Sequence, residues 1–274
     1  MSAAAARGSM RAVAILPARL ASRRLPRKML LAETGKPLFV HTAERVAACR
    51  AIQRVVVATD SREILEAARE AGIEARLTRE DHESGTDRVQ EAFAGLGDGP
   101  WEVVLGVQAD EPEIEASDLE ALVAAFAEPE VEAASLCAPF EREEEAEAPQ
   151  AVKVVRDARG DALYFSRAPI PYRAPPARPG EATAGAGAYA RAGAPARCGV
   201  LRRHVGVYAF RPAALARFCA LPSGALEGLE NLEQLRWLEA GRRMRVLELA
   251  RAPMGIDTRA DYDLFVARMS GRSP

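Results

Sequence analysis

Short apolar runs alternate with amphipathic stretches along the first half of the chain. A bounded apolar run predicts a buried strand, and apolar residues three or four positions apart predict a helix. Strands that alternate with helices favour parallel pairing through right-handed crossovers, so we predict an α/β fold, a three-layer α/β/α arrangement around a mainly parallel sheet. The predicted strands are Arg11–Leu16, Val55–Thr59, Glu74–Leu77 and Val103–Val107, and the predicted helices cover Leu38–Arg50, the stretch from Asp60 to Gly72, Thr86–Ala94 and the stretch from Ser117 to Phe126.

Two of these helix starts carry capping signals. Asp60 precedes the second helix with Glu63 three residues later, and Ser117 stands three residues before Glu120. A short polar residue followed by Glu at this spacing is typical of a capping box. We therefore expect Asp60 and Ser117 to be N-caps, and Gly72 to end the second helix.

The second half has a different pattern. The acidic run at 141–147 predicts a solvated helix face, and the stretch at 173–199, rich in Ala, Gly and Pro, predicts a mobile surface loop. The other predicted elements are a hairpin of Ala151–Val155 and Ala162–Phe165, strands at Arg203–Phe210 and Arg245–Leu249, and helices at Pro212–Leu221, Leu226–Ala240 and Thr258–Met269.

Charge and composition narrow the function classes. The 274 residues carry 37 basic and 39 acidic side chains, a net charge of −2. A nucleic-acid coat or a polybasic membrane binder needs a large positive excess, so we expect neither partner. A run of about 18 uncharged apolar residues, which a membrane span requires, is absent from the sequence. The four cysteines lack CxxC spacing, which favours buried thiols in a cytoplasmic protein.

The loop after the first predicted strand is strongly basic. Arg19, Arg23, Arg24, Arg27 and Lys28 lie close together at the carboxyl end of that strand. Ligands of open α/β sheets bind at this edge, and clustered Arg and Lys suit a polyphosphate. The alternative is an exposed basic loop paired with acidic neighbours. The loop has neither GxGxxG nor GxxxxGK[ST], which disfavours a dinucleotide cofactor and a P-loop NTPase.

Two aspartates are candidate ligands for a metal ion. Asp110 follows the fourth predicted strand, at the edge that carries the basic loop, and Asp257 stands just before the last helix. Carboxylates at such positions hold Mg²⁺ where phosphates are handled. Each aspartate also has a plainer explanation, because Asp110 suits a turn and Asp257 suits a helix cap. Thr258, however, already offers that cap.

A series of ordered motifs runs from Ala12 to Met269. With these motifs the chain resembles 3-deoxy-manno-octulosonate cytidylyltransferase, the CMP-Kdo synthetase family of lipopolysaccharide assembly. The motifs are P-A-R-x-A-S-x-R-L-P-x-K at Pro17–Lys28, G-K-P at Gly35–Pro37, V-A-T-D at Val57–Asp60, T-R-x-D-H-x-S-G-T-D-R at Thr78–Arg88, V-Q-x-D-E-P at Val107–Pro112, A-V-K-V-V at Ala151–Val155, A-L-Y-F-S-R-A-x-I-P at Ala162–Pro171, H-x-G-x-Y at His204–Tyr208, L-E-Q-L-R at Leu232–Arg236 and D-T at Asp257–Thr258.

The resemblance implies a fold, an activity and a cofactor. The implied fold is nucleotide-diphospho-sugar transferase-like, with a smaller β-rich part for sugar binding and dimerisation. The implied nucleotidyltransferase reaction joins CTP and the sugar acid Kdo into CMP-Kdo and pyrophosphate, by in-line attack of the anomeric hydroxyl on the α-phosphorus. Mg²⁺ is the implied cofactor, and the implied protein is a cytoplasmic homodimer.

The same resemblance implies roles for individual residues. Arg19, Arg24 and Lys28 would grip the triphosphate, and Asp110 and Asp257 would hold the catalytic Mg²⁺. The residues implied around cytosine are Arg79, Ser84, Gly85 and Thr86, and those implied around the sugar are Gln108, Arg167, His204, Tyr208, Glu233 and Gln234. Arg167 is the implied partner of the sugar carboxylate. Core packing for His204 and Tyr208, and an exposed helix face for Glu233 and Gln234, remain the alternatives.

The predicted organisation follows from these assignments. We expect a disordered extension at 1–10, a nucleotide-binding α/β half at 11–150 and a sugar-binding and dimerisation half at 151–244. A last strand and helix at 245–274 would return to the nucleotide site.

Two positions depart from the family's usual glycine. Ala109 places a methyl group beside Asp110, which strains the backbone only if this position has a positive φ. Arg27 would add positive charge near the triphosphate.

Three other functions remain open. The first is a cytidylyltransferase for a related acidic sugar, an amino analogue of Kdo or sialic acid, although the matching sugar residues favour Kdo. The second is a catalytically silent nucleotide-binding module. The third is a glycosyltransferase that uses a finished nucleotide sugar, which the basic loop disfavours because it suits a free triphosphate.

Overall fold

The computed structural model describes residues 10–22, 24–97, 99–172 and 201–271. The expectations for residues 1–9, for Cys198 and for the loop at 173–199 lie outside the described residues. In the described part the strands are β1 (Ala12–Ala18), β2 (Ile52–Thr59), β3 (Ala75–Leu77), β4 (Val103–Gly106), β5 (Ala133–Pro139), β6 (Lys153–Arg156), β7 (Ala162–Ser166), β8 (Arg202–Phe210) and β9 (Arg245–Glu248), and the helices are α1 (Leu38–Ala47), α2 (Arg62–Glu70), α3 (Gly85–Ala94), α4 (Ala116–Ala124), α5 (Glu143–Glu147), α6 (Pro212–Ala220), α7 (Ala225–Glu230), α8 (Gln234–Glu239) and α9 (Arg259–Met269).

The nine described strands join one sheet, whose main path has the order β3-β2-β1-β4-β8-β5-β9. All strands of this path run parallel except β8, which is antiparallel to both β4 and β5. The hairpin of β6 and β7 attaches through β6 to the first residues of β8. The predicted mainly parallel sheet and the predicted hairpin are therefore confirmed.

Helices cover both faces of the sheet. Every residue of β1 is buried, and its alternate side chains enter two different apolar clusters. Leu16 packs with residues of α1, α2 and α4, whereas Ile15 packs with residues of α3, α6 and α8. A strand covered on both faces needs apolar residues at every position. The apolar run that predicted β1 has this pattern.

Helix α9 packs over the segment that follows β1. Tyr262 and Phe265 of α9 are buried against Leu25, Leu38 and Ile256. Thr258 caps this helix, because its side chain accepts a hydrogen bond from the amide of Asp261. The packing brings the segment before α9 next to the basic loop.

The strand β5 was not expected from the sequence. Every residue of β5 except the last is buried, and the strand lies between β8 and β9. Its sequence, AASLCAP, is made mostly of small residues and has no β-branched side chain, so it gives a weak strand signal. The tertiary environment supplies its strand conformation.

Three local predictions were wrong. The cap of α2 is Ser61, whose side chain accepts from the amide of Ile64, and not Asp60. Asp60 instead pairs with the buried Arg88 at 2.8 Å. Ser117 lies inside α4 and makes no cap. The single helix expected at 226–240 is broken at Asn231, which adopts a left-handed conformation with φ 52°.

Candidate active site

A cleft of about 460 Å³ opens at the carboxyl ends of β1 and β4. Parallel strands deliver their following loops to this edge, so residues from distant parts of the sequence meet there. The cleft brings together seven residues predicted from the sequence, which are Arg19, Arg24, Lys28, Gly85, Gln108, Asp110 and Asp257.

Lys28 joins the two candidate metal ligands. Its Nζ atom forms an ion pair with Asp110 Oδ2 and lies 3.4 Å from Asp257 Oδ1. It also donates a hydrogen bond of 2.7 Å to the carbonyl oxygen of Ile256. The Ile256 amide in turn donates to the Asp110 carbonyl oxygen at 2.9 Å, which fixes the two aspartate segments side by side. The two carboxylates are therefore close enough to share one cation.

Two arginines of the basic loop, Arg24 and Arg19, have separate partners. Arg24 forms an ion pair of 2.8 Å with Asp257, and Arg19 donates to the carbonyl oxygen of His82 at 3.0 Å. Both side chains line the cleft. Together with Lys28 they place three positive charges around a pair of carboxylates, which suits a ligand that carries several negative charges.

The donor set fits a magnesium ion. Among the residues that the structure describes, no group of three or more His, Cys, Asp or Glu side chains has the geometry of a metal site. The cleft instead offers two carboxylates, those of Asp110 and Asp257. Mg²⁺ is typically held by one or two carboxylates together with substrate phosphates and water. Both carboxylates reach the Lys28 ammonium, so a single cation at this point is within reach of both.

Glu111, the residue after Asp110, was not singled out in the sequence analysis. Burial, followed by the negative charge of Asp110, raises the pKa of its carboxyl to about 8. Its Oε2 atom is buried without a hydrogen-bond partner, and a Cβ atom at Gly255 would lie 3.1 Å from its Oε1. The motif V-Q-x-D-E-P contained Glu111, but its letters alone do not reveal the burial.

The Gln108 side chain lies close to two glycines. A Cβ atom at Gly85 would lie 3.3 Å from its Nε2 atom, and one at Gly206 would lie 3.8 Å from its Cγ atom. Gly85 begins α3, and Ser84 caps this helix by accepting from the amide of Asp87. Gly85 therefore leaves room for the Gln108 side chain beside the start of α3, whereas the spacing at Gly206 is an ordinary van der Waals contact.

Thr86 links the start of α3 to the segment between α7 and α8. Its hydroxyl donates to Glu233 Oε1 at 3.0 Å. Burial raises the pKa of Glu233, and its other oxygen, Oε2, is buried without a partner. The break at Asn231 makes this contact available, because Glu233 begins a new helix direction instead of continuing α7.

Three other predicted sugar residues form a polar cluster in which Tyr208 and Gln234 are buried and His204 is partly exposed. The Tyr208 hydroxyl donates to Gln234 Oε1 at 3.0 Å, and burial raises the pKa of this phenol well above its usual value. His204 contacts Ser135 Oγ at 2.8 Å, and Ser135 donates to the Val207 carbonyl oxygen. His204 Nε2 therefore carries the proton in this contact, and burial lowers the His204 pKa to about 3.

Arg167 and Arg79 lie outside both the cleft lining and the polar cluster. Arg167 donates to the backbone carbonyl oxygens of Glu230, Pro149 and Asn231, so its guanidinium holds the α7 end in place. Arg79 is exposed and lines a second cavity of about 420 Å³, where it pairs with Glu91. Their implied roles toward the sugar and cytosine stay predictions.

Sequence and structure comparisons identify the relatives of this chain. The sequence model of the cytidylyltransferase family matches residues 13–245. The 3-deoxy-manno-octulosonate cytidylyltransferase of Anaeromyxobacter sp. (strain Fw109-5) is 48% identical over 255 residues, which cover 93% of this chain and 95% of the relative. The enzyme of the same name from Xanthobacter autotrophicus is 44% identical over 260 residues, 93% of this chain and 92% of the relative. This chain belongs to the 3-deoxy-manno-octulosonate cytidylyltransferase family.

A solved structure agrees with this membership. A CMP:2-keto-3-deoxy-manno-octonic acid synthetase complexed with CTP superposes with a TM-score of 0.81 at 37% identity, over 95% of this chain and 99% of that one. The 4-diphosphocytidyl-2C-methyl-D-erythritol synthase of Anaerococcus prevotii, 13% identical with a TM-score of 0.58, over 96% of this chain and 100% of that one, shares the fold. The predicted family, fold class and enzyme class, a nucleotidyltransferase, are thus confirmed. In the described part of the chain, no helix has the length and apolar character needed to cross a membrane.

The two departures from the glycines of cytidylyltransferase motifs have different consequences. Among the described non-glycine residues only Arg27 and Asn231 have a positive φ, so Ala109 causes no backbone strain. Arg27 is left-handed with φ 54°, a conformation that favours glycine. Its guanidinium pairs with Glu63 of α2.

Proposed function

We propose that this protein transfers CMP from CTP to Kdo and releases pyrophosphate. The observation that carries the proposal is the convergence of Asp110 and Asp257 on Lys28, in a cleft that also contains Arg19 and Arg24. A pair of carboxylates beside three cations is suited to a metal–triphosphate complex. Membership of the family and the CTP complex of its solved relative support the same substrate.

The transfer needs no covalent enzyme intermediate. The anomeric oxygen of Kdo forms a bond to the α-phosphorus while the bond from that phosphorus to the pyrophosphate oxygen breaks, and the hydroxyl proton passes to solvent. Arg19, Arg24 and Lys28 would hold the leaving pyrophosphate by charge-assisted hydrogen bonds. Catalysis would then depend on alignment of the reactants and on neutralisation of phosphate charge.

Asp110 and Asp257 would hold Mg²⁺ through their carboxylate oxygens. When bound, Mg²⁺ supplies neutralisation of phosphate charge and lowers the pKa of a coordinated hydroxyl.

The sugar acid would bind between Gln108 and the polar cluster. Gln108 contacts the start of α3 on one side and β8 on the other, so it can touch both substrates. The neutral His204 and the protonated Tyr208 would position sugar hydroxyls by hydrogen bonds without adding charge. The Glu233 contact with Thr86 connects this region to the implied cytosine loop.

We further propose a cytoplasmic homodimer. The described cysteines, Cys49, Cys137 and Cys219, are free thiols, as expected in a reducing compartment. The resemblance places the candidate interface on the sheet of residues 151–166 and 203–210, where Leu163 of β7 is 62% exposed. Light scattering of the purified protein should give twice the mass of one chain, and a monomer mass would argue against this assembly.

The function is tested by a pyrophosphate-release panel. The protein is incubated with Mg²⁺, with CTP, UTP, ATP or GTP, and with Kdo, its amino analogue or sialic acid, and the sugar nucleotide is identified by mass spectrometry. We expect release only with CTP and most rapidly with Kdo. Faster turnover of another acidic sugar would reassign the substrate, and no release with any pair would indicate a catalytically silent protein.

A further inference from the structure

Lys28 occupies an unusual position for a phosphate-binding lysine. Its side chain is nearly buried, and its ammonium group contacts Asp110, Asp257 and the Ile256 carbonyl oxygen. All three partners are oxygens, the kind of ligand that a divalent magnesium ion also prefers. The lysine and a metal ion would therefore use the same carboxylate oxygens.

Each of the two carboxylates is already paired with a cation of the protein. Asp110 and Asp257 carry two negative charges, while Lys28 and Arg24, which is 2.8 Å from Asp257, carry two positive charges. A divalent cation that enters this arrangement competes with these pairings, and it meets the Lys28 ammonium at contact distance from its own ligands. Repulsion between like charges at such a distance is strong when the groups are shielded from water.

A triphosphate can change this balance by attracting both cations. The Lys28 backbone is fixed in a short helical turn, since its amide donates to the Leu25 carbonyl and its carbonyl accepts from the Leu31 amide. Movement is thereby confined to the flexible four-carbon side chain, which can carry the ammonium from the carboxylates to a phosphate. Arg24 is more than half exposed and is free to follow.

We propose that Lys28 is a counter-cation of the metal carboxylates, which it holds together and neutralises until the nucleotide phosphates draw its ammonium group away. Binding of the nucleotide then increases the affinity for the metal ion, and the size of this increase depends on the Lys28 side chain. The inference rests on the proposed function, because it takes the two aspartates as metal ligands and a nucleoside triphosphate as the anionic substrate.

The test is Mn²⁺ binding to the nucleotide-free protein, measured by electron paramagnetic resonance of the free ion. Lys28→Met keeps most of the side-chain length and removes the charge. We expect it to bind Mn²⁺ more tightly than the unmodified protein, within the range of about 5–150-fold that is typical of coupling between ligands. The control is Lys36→Met, since Lys36 pairs with Glu44 outside the cleft. It should leave Mn²⁺ affinity unchanged.

A second measurement tests the coupling itself. The Mn²⁺ affinity is compared with and without a CTP analogue whose α,β-bridge is methylene. The gain produced by the analogue should be smaller in Lys28→Met than in the unmodified protein, because the lysine no longer has to be displaced. If Lys28→Met does not fold, Lys28→Gln serves the same two measurements.

Two results would overturn the inference. One is Mn²⁺ affinity in the lysine variants no tighter than in the unmodified protein, and the other is an undiminished gain from the analogue. Formation of CMP-Kdo by the unmodified protein would leave the proposed function intact in either case. Conversely, tighter Mn²⁺ binding by the variants of a protein that makes no CMP-sugar would sustain the inference and remove the function.

Discussion

Replacing Arg88 by Met should have a large effect on stability, because this guanidinium is completely buried. It donates to Asp60 Oδ2 at 2.8 Å, to Thr78 Oγ1 at 2.6 Å and to the Arg79 carbonyl oxygen at 3.1 Å. These contacts join α3 to the segments that follow β2 and β3. Met retains much of the volume but leaves all three acceptors without their donor.

The magnitude follows from the burial of the pair. Removing one partner of a buried ion pair costs about 3–5 kcal/mol, because the remaining charge is left uncompensated. The Asp60 side chain is 17% exposed, so water can solvate it in part. We therefore expect a loss of about 3 kcal/mol in the free energy of unfolding. In a chain of this size that corresponds to a fall in Tm of roughly 6–12 °C.

Urea denaturation followed by circular dichroism measures this loss. The matched control is Arg54→Met, because Arg54 forms a two-bond ion pair with Glu74 at 2.7 and 2.8 Å while both side chains are about one-third exposed. A surface pair of this kind contributes at most about 1 kcal/mol. In the double variant of Arg88→Met with Asp60→Asn the losses should be less than additive. If Arg88→Met costs no more than Arg54→Met, the reasoning from burial is refuted.

Three further predictions concern the site and its surroundings. Asp110→Asn and Asp257→Asn should each reduce kcat by at least about 100-fold while calorimetry still detects CTP binding, and near-normal rates would remove the metal assignment. Tyr208→Phe leaves Gln234 Oε1 without its donor, so the KM for Kdo should rise about tenfold with the KM for CTP unchanged; equal changes in both constants would contradict a role at the sugar. Burial lowers the His41 pKa to about 4, so the unfolded chain takes up this proton first and stability should fall as the pH drops from 6.5 to 4, by up to about 3 kcal/mol. His41→Gln should flatten that part of the stability profile in urea titrations, and an unchanged slope would show that other groups cause it.

Much of the site could be read from the sequence because it is built on strand ends. The basic loop follows β1 and Asp110 follows β4, and the shared edge of a parallel sheet brings such loops together. The role of Glu111 was not readable, because the pKa of a carboxyl depends on its desolvation and on neighbouring charges. The partners of Arg167 were missed for a similar reason, since they are backbone carbonyls on elements distant in sequence.

The sequence by itself determined most of the strands and helices of the first half, because apolar periodicity is a local property and burial on both faces of a sheet demands continuous apolar runs. It also supplied the basic residues that can bind a triphosphate and the aspartates that can bind Mg²⁺. Only the tertiary structure decided that β5, with its small residues, becomes a buried strand between β8 and β9, and that Arg27 pairs with Glu63. It alone placed Asp257 beside Asp110 on the Lys28 ammonium, because the packing of α9 over the basic loop sets that distance, and no local pattern encodes contacts between segments so far apart.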